Sequence, residues 1–349
     1  MPPALSLDTL FEEAVQQHAS DLHIVVGKPP ILRIDGILTE MTQHPVISGR
    51  EAERLALSIL DERGKKVFVE EKEIDVPYEI KDVSRFRVNI HWERGNVGLV
   101  ARVITFVPPT MEDLGMPEIV YKLLENKQGL VLVTGPTGCG KSTSLAAMID
   151  YINSNRSVHI ITLEDPIEFL YESKKSIIKQ RQLGSDMISF AAALKHVLRQ
   201  DPNVILVGEM RDMETIAATI TLAETGHLVL ATLHTFSAAQ TVDRIIDVFP
   251  PYQQNQVRLQ LSLFLKGIIS QQLLPKVKGG RIAAREILVN TPAVSNLIRE
   301  NKIAQIKTVI QTSADEGMVA MDHDLKRLYK EGLIAEETAR AYMSNPHEL

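Results

Sequence analysis

The sequence predicts a two-domain α/β protein whose larger part is a parallel sheet crossed by helices. Three observations carry this. Short unbroken runs of β-branched residues and leucine recur at 129–134, 158–163, 203–207 and 227–232, the pattern of strands buried on both faces. Helix-competent segments at 141–153, 189–200 and 212–224 lie between them and supply the crossovers. Pro108-Pro109 separates this region from an earlier one of different texture, and 349 residues exceed the usual size of one domain. The expected division is a first domain over 1–107, a hinge at 108–116 and a second domain over 117–349.

The first domain reads as mixed α/β. Leu7, Leu10, Phe11, Ala14 and Val15 recur at helical spacing, which predicts an amphipathic helix over 6–19. Strands follow at 20–26 and 31–34, around the turn Gly27-Lys28-Pro29-Pro30. Ser48 is placed to cap a helix over 49–61. Alternating stretches at 74–80, 85–92 and 97–106 predict three more strands.

In the second domain, Val257, Leu261, Phe264, Leu265 and Ile268 form a helical stripe, which predicts a helix over 254–274. A strand is expected at 281–289. From 291 the chain reads as helical, broken at Gly317 and Gly332. Met318, Met321, Leu325, Leu328 and Tyr329 recur there at a spacing that suits core packing.

Apolar residues make up 44% and charged residues 23% of the chain, the balance of a soluble globular protein. A net charge of −6 argues against a non-specific nucleic-acid binder, which needs a basic surface. No apolar run reaches the roughly 18–20 residues of a transmembrane segment, and the opening Met1-Pro-Pro-Ala-Leu-Ser-Leu-Asp lacks the features of a signal peptide. A single cysteine, Cys139, excludes an internal disulfide and a multi-cysteine zinc site. These features make the cytoplasm the expected location.

Residues 135–142 read Gly-Pro-Thr-Gly-Cys-Gly-Lys-Ser, the GxxxxGK[ST] pattern, with an apolar strand before and a helix after. Gly135, Gly138 and Gly140 let the backbone curl so that its N–H groups point at phosphates, and the helix N-terminus adds partial positive charge. Gly135, Pro136, Thr137, Gly138, Cys139, Gly140, Lys141, Ser142 and Thr143 are thus the expected contacts for Mg-ATP. Lys141 is expected at the β/γ phosphates, Ser142 on Mg²⁺ and Thr143 at the α-phosphate.

Hydrolysis also needs a polarised water. The run 203–209 is a buried strand ending in Glu209, with Gly208 where many P-loop enzymes carry an Asp. Glu209 is therefore expected to act on the water shell of the metal. The strand at 158–163 ends in Glu164-Asp165-Pro166-Ile167-Glu168, whose carboxylates either orient the attacking water or are solvated loop acids. His227 and His234 bracket a third strand at a separation that matches no common zinc spacing. They read as ordinary strand-end histidines or as sensors of the γ-phosphate.

Four motifs appear in order: GPTGCGKST (135–143), TLEDPIEF (162–169), RQDPNVILVGEMRD (199–212) and TGHLVLATLHT (225–235). Together they resemble the Walker A loop, Asp box, atypical Walker B and His box of the secretion ATPases of type II secretion and type IV pili. The resemblance extends to SDLHIVVGKPPILRIDG (20–36) and RFRVNIHWERG (85–95), nearly the whole chain. Residues 293–300, Ala-Val-Ser-Asn-Leu-Ile-Arg-Glu, are similar to the AIRNLIRE motif of the pilus-retraction branch, with Val294 for Ile and Ser295 for Arg. Losing that Arg removes a planar group with five donors.

The resemblance implies a RecA-like motor domain with a smaller α+β, PAS-like N-terminal domain, hinged at 107–116 and assembled as a homohexamer. It implies Glu164 as general base, Glu209 as the Walker B acid and metal-associated residue, and His227 and His234 as γ-phosphate or interface sensors. It places N-terminal arginines against ATP bound in a neighbouring subunit, and Arg87 and Arg102 fit that pattern ahead of Arg85 and Arg94; surface ion pairing is their other reading. The implied work is pilus retraction against an inner-membrane platform protein of the PilC kind, at the cytoplasmic face of that membrane. Alternatives are an accessory retraction ATPase, itself a possible partner, and an assembly ATPase. That last reading is weakened by the lack of an extra N-terminal domain and a four-cysteine element. A nucleic-acid translocase and a non-hydrolysing scaffold fit the acidity and the filled catalytic positions less well. Cys139, beside a helix N-terminus, raises the expectation of a thiol with lowered pKa.

Overall fold

The computed structural model describes residues 5–34, 36–81, 83–104 and 108–349. Residues 1–4 of the opening segment, Asp35 of the 20–36 motif, the end of the strand expected over 97–106 and Val107 of the expected hinge lie outside them. The chain divides into two units: one runs up to the Pro108 break and includes Glu168–Leu170, and the other holds Pro108–Ile167 and Tyr171–Leu349.

The N-terminal unit contains α1 (Leu7–Gln16), β1 (Asp21–Ile24), β2 (Ile31–Ile34), β3 (Ile37–Glu40), α2 (Gly49–Leu57), α3 (Glu62–Glu71), β4 (Glu73–Ile80), β5 (Ser84–Glu93) and β6 (Asn96–Ile104). Its sheet runs β3-β2-β1-β6-β5-β4, with every pairing antiparallel. Ser48 caps α2 as expected, its hydroxyl accepting from Glu51 N at 3.2 Å. Phe11 of α1 stacks on Phe86 of β5 with ring centroids 4.2 Å apart, and Leu10, Leu22, Leu55 and Leu99 are buried around them.

The C-terminal unit begins with α4 (Glu118–Leu124), β7 (Gly129–Thr134), α5 (Lys141–Asn155), β8 (His159–Glu164), β9 (Ile177–Gln182), α6 (Phe190–Val197) and β10 (Val204–Val207). It continues with α7 (Met213–Glu224), β11 (Leu228–Leu233), α8 (Ala238–Asp247), α9 (Pro251–Phe264), β12 (Leu265–Pro275) and β13 (Arg281–Val289). The tail forms α10 (Pro292–Arg299), α11 (Ile306–Thr312), α12 (Met321–Lys330) and α13 (Glu336–Tyr342). The sheet order is β13-β12-β7-β11-β10-β8-β9, parallel except for the antiparallel β12–β13 pair. Strands β7, β10 and β11 are buried along their whole length, as their unbroken apolar runs require. This is the RecA-like α/β architecture.

One element corrects the sequence reading. The helix expected over 254–274 ends at Phe264, and Leu265–Pro275 is β12, paired with β7 and β13. The apolar stripe of α9 runs into Ile268 and Ile269, which are fully buried in the sheet; an apolar run at that point satisfies either period. In the tail, Met318 is buried in the core that covers the sheet, Leu325 and Leu328 are buried in a separate cluster, and Met321 and Tyr329 are half-buried against that second cluster.

Much of the segment expected as a hinge is packed into the C-terminal unit. Met111 and Met116 are buried there. The buried Arg285 of β13 donates to Leu114 O at 2.8 Å and Gly115 O at 3.2 Å. Burial lowers the pKa of that guanidinium to about 10.

Candidate functional site

Parallel strands present their carboxyl ends on one edge of a sheet, and ligands bind there. On this edge β7 ends at Thr134 and runs into the glycine-rich loop, and α5 starts at Lys141. The loop conformation demands glycine at its first position. Gly135 has φ +143°, and a Cβ on it would lie 2.3 Å from Gln271 O and 2.6 Å from Cys139 Sγ. Gln271 of β12 braces the loop from beneath: its Nε2 donates to Cys139 O at 2.8 Å, and its Oε1 accepts from Ser144 Oγ at 2.9 Å. Thr134 Oγ1 and Ser270 Oγ are 2.8 Å apart in the same layer. No sequence signal pointed to Gln271, because β12 was read as helix.

Lys141 Nζ donates to Gly135 O at 2.8 Å and Pro136 O at 3.1 Å. The ammonium therefore lies over the loop it is expected to serve. His234, just beyond the end of β11, comes within 3.4 Å of Lys141 Nζ and 3.5 Å of Thr137 Oγ1 through Nδ1. Its Nε2 lies 3.1 Å from Glu209 Oε1, and Arg211 Nη2 lies 2.9 Å from Glu209 Oε2. Burial pushes the Glu209 pKa up, but hydrogen bonds from Arg211 and His234 and the charge of Arg211 outweigh it and hold the carboxyl below its ordinary range. Arg211 lay within the third motif but was assigned no role from sequence.

Glu164 closes β8. It is buried, and its Oε1 accepts from Thr162 Oγ1 at 2.6 Å and Gln180 Nε2 at 3.1 Å. Thr162 and Gln180 are register partners on β8 and β9, so two adjacent strands fix one carboxylate. That supporting pair was missed because β9 was not foreseen. A Cβ on Gly208 would stand 3.0 Å from Leu163 O and 3.3 Å from Glu164 Cα. That close approach explains why glycine occupies a place where an acidic side chain was the obvious alternative.

Two expectations change. His227 precedes β11 at its amino end, where its carbonyl accepts from Gly129 N at 2.9 Å and its Nδ1 lies 3.0 Å from Leu222 O. The length of a six-residue strand, about 20 Å, separates it from the loop, so it cannot sense a γ-phosphate held there. Cys139 is buried. Burial raises its pKa, and the countering charge of Lys141 is smaller; the expectation of a lowered thiol pKa fails because the side chain points into the protein.

A cavity of about 610 Å³ opens beside Gly140 and Thr143, with Leu273, Ile282 and Ala283 as apolar walls and Arg281 among its charges. Its size suits a nucleoside-sized ligand. Among the described residues no group of three or more His, Cys, Asp and Glu could hold a metal by itself. Mg²⁺ is held through one or two protein oxygens together with substrate phosphates and water, and a serine hydroxyl after the loop lysine and a strand-end carboxylate supply such oxygens. Ser142 and Glu209 would be those residues. In the N-terminal unit, Arg87 and Arg102 are register partners on β5 and β6.

Ser295, the departure in the 293–300 motif, has an internal task. Its hydroxyl donates to Ser262 O at 2.7 Å and lies 3.1 Å from Asn290 Oδ1, bracing α10 against the end of α9.

The chain is similar to known proteins over nearly its whole length. The chain is 47% identical over 336 residues to the type IV pilus retractation ATPase PilT of Pseudomonas aeruginosa, covering 96% of this chain and 97% of that one. It is 48% identical over 347 residues to a twitching motility protein of Neisseria gonorrhoeae, covering 99% and 92%. The crystal structure of the pilus retraction motor PilT with bound ADP superimposes with a TM-score of 0.93 at 45% identity, covering 99% of each chain. No helix among the described residues is long and apolar enough to cross a membrane. With residues 3–339 matching its model, the chain belongs to the type II/IV secretion system protein family.

Proposed function

We propose that this chain is a motor ATPase that hydrolyses Mg-ATP to drive retraction of type IV pili and so powers twitching motility. One observation carries the reading. The phosphate loop, the clamped Glu164 and the Glu209–His234 pair lie at the carboxyl ends of neighbouring strands of one sheet, within a chain similar over nearly its whole length to a retraction ATPase.

The residues divide the work. The loop N–H groups and the start of α5 hold the phosphates. Lys141 leaves the carbonyls of Gly135 and Pro136 to meet negative charge on the β/γ phosphates. Glu164, held in one orientation by Thr162 and Gln180, accepts the proton of the attacking water. His234 couples the γ-phosphate end of the site to Glu209. Ser142 and Glu209 would hold Mg²⁺, which would supply positive charge against the phosphates. Arg87 and Arg102 of one copy stabilise the same charge in the site of another copy, within a homohexamer. The motor acts at the cytoplasmic face of the inner membrane on a pilus platform protein.

Phosphate release from purified protein, compared with Glu164→Gln and Lys141→Ala, tests hydrolysis. Unchanged release in either variant would overturn it. A deletion strain tests direction: hyperpiliated, non-twitching cells are expected, and bald cells would refute retraction. Ser295, standing where the motif has Arg, leaves room for a second reading, an accessory retraction ATPase. A deletion that leaves twitching intact until a second retraction ATPase is also removed would select it.

A further inference from the structure

The antiparallel sheet of the N-terminal unit sets four charged residues in one register row. Arg33 on β2 faces Asp21 on β1, Asp21 faces Arg102 on β6, and Arg102 faces Arg87 on β5. Directly opposed residues share a face of the sheet, and like charges so opposed repel. Arg87 and Arg102 are such a pair, and each meets a carboxylate. Asp21 Oδ1 accepts from Arg102 Nε at 3.0 Å, and Asp75 Oδ1 lies 3.8 Å from Arg87 Nε.

The two carboxylates are not equivalent. Asp75 is half exposed, whereas Asp21 is buried to 6% exposure. The Oδ2 atom of Asp21 accepts from Ser20 Oγ at 2.8 Å and stands 3.8 Å from Arg33 Nε. A carboxylate anchored in this way is a fixed point. Its grip on Arg102 is side-on, through Nε, rather than the end-on fork that would engage the terminal nitrogens. Arg102 remains 70% exposed, and its terminal nitrogens have no hydrogen-bond partner among the described residues. A concavity of about 300 Å³ lies over the row, lined by Asp21, Asp75, Arg87, Asn89, Val100 and Arg102.

We infer that Asp21 is a positioning residue: by holding Arg102 through Nε, it presents the terminal nitrogens to a phosphate group bound by a second copy of the chain. This rests on the reading that Arg102 acts on the neighbour's nucleotide. Mere neutralisation of the Arg87–Arg102 pair would need neither burial nor the Ser20 anchor.

The test is a double-mutant cycle on the full chain, read as ATP turnover and thermal melting. Asp21→Asn keeps an acceptor but removes the charge that fixes the guanidinium. It is expected to lower kcat about tenfold with KM for ATP within about twofold, and to leave the melting curve nearly unchanged. Lysine has no Nε fork, so in an Arg102→Lys background Asp21→Asn should change kcat less than about twofold. An equal tenfold fall in both backgrounds would make Asp21 merely structural and overturn the inference, as would no fall in the unsubstituted background. Should Asp21→Asn not fold, Ser20→Ala in the same two backgrounds replaces it, with a smaller fall expected in the first and none in the second. Full turnover by Arg102→Ala would instead remove the trans-arginine reading itself.

Discussion

His234 Nε2 lies 3.1 Å from Glu209 Oε1, although the two residues belong to different motifs. If Nε2 carries the proton that Glu209 accepts, Nδ1 is left as an acceptor facing Lys141 Nζ at 3.4 Å. The imidazole then joins the phosphate-binding lysine to the Walker B carboxylate. His234→Ala is expected to lower kcat by about tenfold or more while changing KM for ATP little, because the link matters most as charge develops on the phosphates. Steady-state phosphate release checks this. A rise in KM at constant kcat would reduce His234 to a binding contact.

Gly135→Ala places a methyl group where Gln271 O lies 2.3 Å and Cys139 Sγ 2.6 Å away. The loop must shift to admit it, at a cost of about 1–3 kcal/mol in stability. Nucleotide affinity should fall at least about tenfold, since the N–H groups of the loop lose their aim. Titration with a fluorescent ATP analogue and a melting curve separate the two effects.

Cys139 should react slowly with maleimide in the folded protein. The thiolate is the nucleophile, burial disfavours it, and the side chain is inaccessible. Labelling should speed up in denaturant and as pH rises toward the raised pKa. Fast labelling at neutral pH in native buffer would contradict the buried placement.

Glu209 links the site to pH. Its folded pKa is depressed, so its contribution to stability is full above the unfolded value near 4.5 and is lost as pH falls through the lower folded value. The difference in melting temperature between the protein and Glu209→Gln should therefore shrink on acidification from about pH 6 to about pH 3. A constant difference across that range would show that the Arg211 and His234 contacts do not stabilise the anion.

Most of the site was legible because its residues are tied to local patterns. The loop at 135–143 has a fixed spacing, and β7, β8, β10 and β11 are short apolar runs set between helix-competent segments, the pattern of strands buried on both faces. The partnerships between elements were not legible. Thr162 and Gln180 meet on Glu164 only because β9 lies beside β8, and Ile177–Gln182 is half exposed with a weak apolar signal. Strand β3 is exposed along its length and gave no alternation to read. The two histidines looked equivalent in sequence; only the parallel register shows that His227 and His234 stand at opposite ends of β11.

The bracing of the phosphate loop by Gln271 has a thermodynamic consequence. With Cys139 O and Ser144 Oγ tied to one amide, the loop is ordered during folding, so little conformational entropy remains to be lost when nucleotide arrives. The free energy of phosphate contact is then left largely unspent within the loop. It is available to bias larger movements of the protein, which is where a machine that does mechanical work must direct it.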